Sequence, residues 1–513
     1  MRRVQGPARP GSVTALGVDV GTTNTKAALV EVDGAAVTVR AVATTPTPPP
    51  DRLAGVLDAL VREVVAAGGA TGPRAPAAVG IASMAETGVP LDADDRPVGD
   101  WLRWDGHAAA APAAGAALAT LRREVGADAL ARATGVRLAA KVPLATWARL
   151  AADEPGRWSR LVRWAGAADL VALLLTGRLV TDHTLAGRTG AHRLPEPGAA
   201  PHPHADADLL AVVGLRPAAL PEVVGPGQVA AAVRAGAPGG LPAGTPVVVA
   251  GHDHPVGAWA AGVRAPGHVA DSLGTAEALC AVVAAEPDRR AVARAGMSTV
   301  RTVEGEVGLV AGGPGGAVVR WWQEHSGTDV SALPPATTAA GGPAPPVDAV
   351  VLPYPAGRQT PAGDPSARVR VLGDPGDALA RAVVEGMALH AAWMLRELAA
   401  LAAAAPVPAG AAPPPVPGAA GLVVLGGAGA ANAGWLDAKA RLTPAALRVV
   451  DVAEPVAAGA ALLALHRAGC LGGPPPVLPS RAGGAALPRA VQDAALDRFV
   501  AAALAPAGPQ EDP

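Results

Sequence analysis

Phenylalanine and tyrosine occur once each in the 513 residues, and cysteine only twice. Cys280 and Cys470 lie far apart, which excludes a disulfide framework or a cysteine zinc site and fits a reducing cytoplasm. Long basic runs are missing and the formal net charge is −2, so no footprint for nucleic acid is present. The opening MRRVQGPARPGS has two arginines but no apolar core after them, unlike a secretory signal. Arg, Asp, Gly and Pro interrupt the apolar stretches before they reach the length of a bilayer span, so no membrane partner is expected.

What is present is apolar, at 50% of the residues, with 63 Gly and 53 Pro. The heavy use of Ala, Gly, Pro and Arg reads as genome bias and weakens propensity arguments. The length calls for two domains or three. VTALGVDVG, TKAALVEVDG and AAVTVRAVATT read as successive strands with turns at Gly21 and Gly34. PTPPPD breaks the chain, RLAGVLDALVREVVAAGG has helical apolar spacing, and AAVGIAS is a further strand. This order predicts an α/β domain with antiparallel and parallel pairs in one sheet. A second copy begins after residue 250: Asp271-Ser-Leu-Gly-Thr echoes Asp19-Val-Gly-Thr, each between apolar strands. A duplicated domain with a cleft between the halves is expected. Residues 402–421 are low-complexity Ala/Pro and read as a surface insertion; GGPPPVLPSRAGG and the last ten residues read as exposed tails.

Four stretches carry candidate chemistry. GVDVGTTNTK places backbone N–H groups and hydroxyls at one turn, an anion nest suited to phosphate. Asp19 at the strand end suits a water-bridged Mg²⁺, and Lys26 adds charge nearby; the plainer alternative is an ordinary hairpin turn. LVVLGGAGAANAGW reads as strand, glycine turn and helix, the geometry for close approach to a nucleotide. It also imitates a dinucleotide fingerprint through Gly427-x-Gly429 with Asp451 about twenty residues on, but Asn432 stands where a third Gly or Ala is wanted. No G-x-x-x-x-G-K-[ST] occurs, so a nucleotide site here is not a P-loop. In GIASMAETGVPLDADDRPVGDWLRWDGHA, a strand leads to Glu86, and Trp104, Asp105 and His107 follow a turn. A Trp beside carboxylates suits a sugar or polyol, with solvated Glu86 and core Trp104 as the alternative. Last, TPVVVAGHDHPVGAWAAG runs strand, turn, helix and sets Asp253 between His252 and His254. That is either half of a metal site or an acid–base aspartate. A zinc site needs three or four ligands, and the other His-x-His, His202 and His204, lies in a Pro-rich loop without a scaffold.

Taken together, these stretches resemble the FGGY family of carbohydrate kinases over roughly residues 13 to 466. GVDVGTTNTKAALV is similar to the first phosphate motif, and SMAETG with WLRWDGHA to the substrate segment. LLLTGRLVTDHTLAGRTG, VAGHDHPVGAWAAG, DSLGTAEAL, LPYPAGRQTPAGDPSARV with VVEGMAL, and VVLGGAGAANAGWLDAKA with EPVAAGAALLA follow in the family's order. The resemblance implies an α/β fold of two actin-like ATPase (ribonuclease H-like) domains around a central cleft. The expected bounds are 12–250 for a sugar- and phosphate-binding domain, 251–469 for an ATP-binding domain, and 470–513 for a tail. The implied reaction is ATP-dependent phosphorylation of a sugar or polyol hydroxyl, with Mg²⁺, on a ketose such as a xylulose-like pentulose.

Asp253 falls on the catalytic base and Asp19 on the metal position. The resemblance assigns Glu86, Trp104, Asp105 and His254 to the substrate. It assigns Thr22, Thr23, Asn24, Gly274 and Thr275 to the phosphates, and Gly426, Gly427, Ala428 and Asn432 to adenosine. Family members often carry Gly where this chain has His252. Ala85 sits where glycerol kinases carry Arg, which argues against glycerol, and the Lys-x-x-Trp spacing is disturbed in AAKVPLATW. Dimers are common in such families, and no interface is legible here. The rival readings are a non-catalytic sugar or nucleotide sensor on the same scaffold and an NAD oxidoreductase.

Overall fold

A computed structural model describes residues 11–105, 112–406, 413–426 and 429–506. The chain divides into two units, each discontinuous in sequence. The first holds Met1–Gly262, Val300–Glu306 and Ala453–Leu478; the second holds Val263–Thr299, Val307–Val452 and Pro479–Pro513. The junction therefore falls after Gly262, not at the expected 250/251. The reason is packing: the helix Asp253–Ala260 buries Val256, Trp259 and Ala260 within the first unit. The expected tail over 470–513 is also corrected. Ser480–Ala482 pairs antiparallel with Leu447–Val450. Arg489–Leu504 is a helix that buries Gln492, Ala495, Leu496, Phe499 and Ala503, a helical stripe spaced for one apolar face.

In the first unit the strands lie in the order Ala36–Pro46, Asn24–Asp33, Val13–Val20, Ala78–Ser83, Pro246–His252, Ala231–Ala232. The first three pair antiparallel, and Val13–Val20, Ala78–Ser83 and Pro246–His252 pair parallel. Register sets Val20 and His252 on either side of Ser83. Three strands thus end together, so the turns that follow them gather at one edge of the sheet. In open α/β sheets that edge is where ligands bind.

The second unit repeats the plan. Val307–Pro314, Ala276–Val282 and His268–Leu273 pair antiparallel; His268–Leu273, Gly421–Leu425 and Leu447–Val450 pair parallel. The duplication read from the two Gly-Thr turns is therefore present in strand order and direction. The longest helix, Leu379–Ala403, is apolar and long enough to span a membrane by composition, but Met387, Ala392, Met394 and Leu398 sit in this unit's core.

The helix Pro455–Arg467 lies on the first sheet at backbone contact. A Cβ added at Gly17 would sit 1.8 Å from the Ala457 carbonyl oxygen, and one at Gly80 1.9 Å from that of Ala460. Backbone cannot swing aside as a side chain can. Gly80→Ala is therefore expected to destabilise the protein by about 3 kcal/mol, read as a lowered urea midpoint. A change under about 0.5 kcal/mol would show that the helix is free to lift.

Candidate active site

Asp253 is the first residue of its helix, and His252 is the last residue of the strand before it. No turn intervenes, contrary to the expected strand, turn and helix. The strand end is shaped by a register shift between Val249 and Gly251, with Gly251 at φ +123. A Cβ there would meet Thr184 Oγ1 at 2.3 Å. Thr184 Oγ1 accepts from the His252 N–H at 2.9 Å and donates to Asp182 at 2.6 Å, and Asp182 pairs with Arg467 at 3.1 Å. This buried chain of contacts fixes the strand end that delivers Asp253.

Both histidines face the aspartate. His252 Nε2 lies 3.1 Å and His254 Nδ1 3.7 Å from Asp253 Oδ1, which also accepts from the His254 backbone N–H at 2.7 Å. Desolvation opposes the charge on Asp253, but His254 and His252 outweigh it and hold the carboxyl well below the ordinary carboxylate range. Burial lowers the pKa of His254 itself, so that imidazole is neutral at pH 7. At neutral pH the hydrogen bonds keep Asp253 ionised. The three ligand atoms lie within 4.8 Å of one another, the spacing of a metal fragment. Both rings are nevertheless engaged with the carboxylate, while His202 and His204 stand exposed on their loop.

Next to this strand end, Glu86 adopts φ 63, a conformation that costs a non-glycine residue roughly 1–3 kcal/mol. Lys141 Nζ holds its Oε2 at 2.9 Å, and Arg188 Nη2 donates to Oε1. Burial raises the Glu86 pKa, but Lys141 and Arg188 overcome it and bring it to about 2. Lys141 also lies 5.6 Å from the centre of the Trp104 ring. Trp104 donates through Nε1 to Thr22 Oγ1 at 2.8 Å and through its backbone to Thr87 at 3.1 Å. Glu86, Trp104, Thr22 and His254 thus share one neighbourhood, since Lys141 and Arg188 act on His254 as well. Asp105 is spent on Arg103, at 2.9 and 3.1 Å, and contacts none of these among the described residues. His107 lies outside the described residues.

The first turn follows its expected shape. Gly21 N–H donates to Asn24 O, and Thr47 N–H donates to Thr23 O, both at 3.0 Å. Thr23 is exposed and Thr22 half-buried. Asp19 is 4% exposed, and its Oδ1 has no hydrogen-bond partner among the described residues. Lys26 lies 4.0 Å from Oδ2 and pairs with Glu454 at 2.7 Å. Burial pushes the Asp19 carboxyl up to about 7 despite Lys26. An orphaned buried carboxylate oxygen fits a divalent cation, which would favour the ionised form.

In the second unit, Gly274 and Thr275 form a tight turn whose carbonyls accept from Gly316 at 2.9 Å and Ala317 at 3.0 Å. Those donors begin the helix Gly316–Ser326, after the run Gly312-Gly313-Pro314-Gly315-Gly316. A Cβ at Gly315 would be 2.6 Å from Ala276 C, so this second glycine turn packs backbone to backbone on the first. The sequence reading passed it over, although Gly-Gly-Pro-Gly-Gly before a helix was legible. Gly426 is half-buried after its strand; Gly427 and Ala428 lie outside the described residues. The side chain of Asn432, expected against the adenosine, is committed to the fold. It is 2% exposed and caps the helix Ala433–Leu442, accepting from Trp435 N–H at 3.1 Å and donating to the Val330 carbonyl. Asp271, the echo of Asp19, is fully buried against Lys439 at 2.6 Å and Glu277 shares the same ammonium.

Residues 14–260 match the model of the FGGY family of carbohydrate kinases, N-terminal domain. A xylulose kinase of Streptomyces rubiginosus is 35% identical over 213 residues, 41% of this chain and 42% of that protein. The chain thus matches less than half the length of this curated relative. A xylulose kinase from Rhodospirillum rubrum shares the fold at TM-score 0.74 and 23% identity, covering 95% of this chain and 98% of that one. A gluconate kinase from Lactobacillus acidophilus shares it at TM-score 0.73 and 19% identity, covering 96% and 97%. The two duplicated sheets are accordingly of the expected actin-like, ribonuclease H-like class. Residues 14–260, just under half of the chain, thus match the N-terminal domain of the FGGY family of carbohydrate kinases, and the chain as a whole shares its fold with solved sugar kinases.

Proposed function

We propose that the chain transfers the terminal phosphoryl group of ATP to a hydroxyl of a sugar or polyol, with Asp253 as the group that receives the hydroxyl proton. The observation that carries this reading is the placement of Asp253 beside Glu86, Trp104 and the Thr22 turn at the shared ends of three parallel strands. Glu86 and His254 offer an acceptor and a ring nitrogen for hydroxyls, and Trp104 an apolar face.

Asp253 is a weak base, because its pKa is held low. That suits phosphoryl transfer, whose loose transition state leaves the hydroxyl proton in place until late. Its main task is to orient the nucleophilic oxygen, and the proton passes to Oδ as the new P–O bond completes. Thr22, Thr23 and Asn24 line the first phosphate turn, and Gly274 and Thr275 the second. Gly426 would lie against the adenosine, with Asn432 capping the helix Ala433–Leu442 behind it. Asp19 would hold Mg²⁺ through water, and the ion would neutralise phosphate charge. The names of the relatives put a pentulose first among acceptors to try. Intact Asp19, Asp253 and both Gly-Thr turns favour an enzyme over a non-catalytic sensor.

The test is ADP release from ATP and Mg²⁺ with xylulose, ribulose, glycerol and alditols, each against a no-acceptor control. Acceptor-dependent release is expected. Equal release with and without every acceptor would leave the sensor as the better reading.

A further inference from the structure

Two imidazoles and a carboxylate meet where the strand Pro246–His252 passes into the helix Asp253–Ala260. His252 Nε2, Asp253 Oδ1 and His254 Nδ1 all lie within 4.8 Å of one another. The nitrogens stand 3.1 and 3.7 Å from the shared oxygen. Ligand atoms on a tetrahedral zinc ion stand about 3.3 Å apart, as bonds of roughly 2.0–2.1 Å require. The two separations straddle that edge. The rings are turned 67° to each other with centres 5.1 Å apart, so they do not stack face to face.

Each ring now leans on Asp253, and an ion would replace that contact with a stronger one. A neutral imidazole carries its one proton on either nitrogen. Each ring can therefore present a bare nitrogen to an ion and keep its proton on the far side. The backbone is already set for this. Thr184 Oγ1 accepts from the His252 N–H at 2.9 Å, and the His254 N–H donates to Asp253 Oδ1 at 2.7 Å. The Asp253 and His254 side chains are 22% and 25% exposed, so an ion can enter from solvent and keep a water as its fourth ligand. Two nitrogens, one oxygen and an open position are the ligand set of a zinc-class ion, and the exposed His202 and His204 are not needed to complete it. Magnesium demands octahedral oxygen ligands and dehydrates reluctantly, so it does not compete here. The orphaned oxygen of Asp19 suits it instead.

We propose that His252, Asp253 and His254 form a three-ligand site for a divalent transition metal of the zinc class, and that the bound ion stops phosphoryl transfer by occupying the Asp253 oxygen. The inhibition rests on the kinase reading, in which that oxygen orients the acceptor hydroxyl. The metal site itself does not.

The whole chain, dialysed free of metal, is titrated calorimetrically with Zn²⁺ in excess Mg²⁺ and without ATP. One Zn²⁺ per chain is expected with a Kd of about 1 μM or tighter, weakened at least about tenfold in His252→Ala. It should be unchanged when His202→Ala and His204→Ala are combined. ADP release is then followed with free Zn²⁺ held by a metal buffer, because ATP itself binds zinc. At saturating Zn²⁺, acceptor-dependent release should fall at least about tenfold, return on chelation and not return with added Mg²⁺. No binding tighter than about 100 μM in the unmodified protein overturns the inference whether or not any variant folds. So does tight binding that survives in folded His252→Ala, or that disappears from the folded variant lacking His202 and His204. Bound Zn²⁺ that leaves phosphorylation untouched overturns it as well. In each of these cases, acceptor phosphorylation by the metal-free protein keeps the kinase reading. His252-dependent Zn²⁺ binding in a protein that phosphorylates no acceptor keeps the metal site and removes the kinase reading, and the inhibition with it.

Discussion

Asp253→Asn is expected to lower kcat for acceptor phosphorylation on the order of 10³-fold while the protein still folds and binds ATP. Asparagine keeps the size of the side chain and still accepts from the His254 N–H, so the helix start survives. On the proposed reading, what is lost is the negative charge that aligns the hydroxyl and finally takes its proton. His252 and His254 are poor substitutes: both lean on the aspartate, and burial disfavours a proton on His254. Single-turnover phosphorylation, with ATP binding measured separately, separates chemistry from binding. Retention of kcat within about tenfold would remove the base assignment and point to unaided attack on a well-positioned phosphoryl group. The acid limb of the kcat profile should not follow Asp253 either. Its folded pKa lies below the ordinary carboxylate range, so its charge, and the stability that charge brings, are lost only in strong acid.

Much of the machinery around Asp253 was legible in the sequence. The strand VVVAG, the small-residue helix after it and the paired Gly-Thr turns are local patterns, and local patterns survive in a sequence. The partners of those residues were not legible. Lys26 meets Glu454, Glu86 meets Lys141 and Arg188, and Asp182 meets Arg467, each across a long stretch of chain. No periodicity announces such pairs. Lys141 drew notice only as a disturbed spacing, and Arg188 only as one letter of a longer run, because such a cation looks the same in a sequence whether it is solvated or turned inward. Asn432 carries the opposite ambiguity: its position in a glycine-rich turn suggested a ligand, while Asn three residues before Trp435 is equally the mark of a helix cap. The C-terminal helix was readable from its stripe and was obscured by the Pro-rich run before it.

The echo of Asp19 by Asp271 hides a divergence that predicts the second large effect. Asp19 keeps an unpartnered oxygen, whereas Asp271, Glu277 and Lys439 are wholly buried and serve one another. One ammonium cannot neutralise two carboxylates. Burial, opposed by Lys439 and reinforced by Asp271, pushes Glu277 up to about 8. A protonated Glu277 leaves one cation and one anion, and gives the orphaned oxygens Glu277 Oε2 and Asp271 Oδ1 a proton to share.

Lys439→Met removes the ammonium that Asp271 and Glu277 share and strands Asp271, so a loss of about 3–5 kcal/mol is expected, on the order of the cost of breaking a buried pair. The sign with pH follows. Because the folded pKa of Glu277 is raised above its unfolded value of 4.5, its contribution is complete below that pH and is lost as pH rises toward about 8. Lys439→Met, which leaves two buried carboxylates without their ammonium, should be least stable at pH 8 and recover toward pH 5. Glu277→Gln should instead flatten the pH dependence and match or exceed the parent near pH 8, since a neutral amide replaces a carboxyl that has to hold its proton there. Hydrogen exchange across His268–Leu273 and Ala276–Val282, followed against pH, reads this unit directly. Protection in Lys439→Met equal to the parent at pH 8 would mean that the triad is solvated and that Asp271 carries its charge without help.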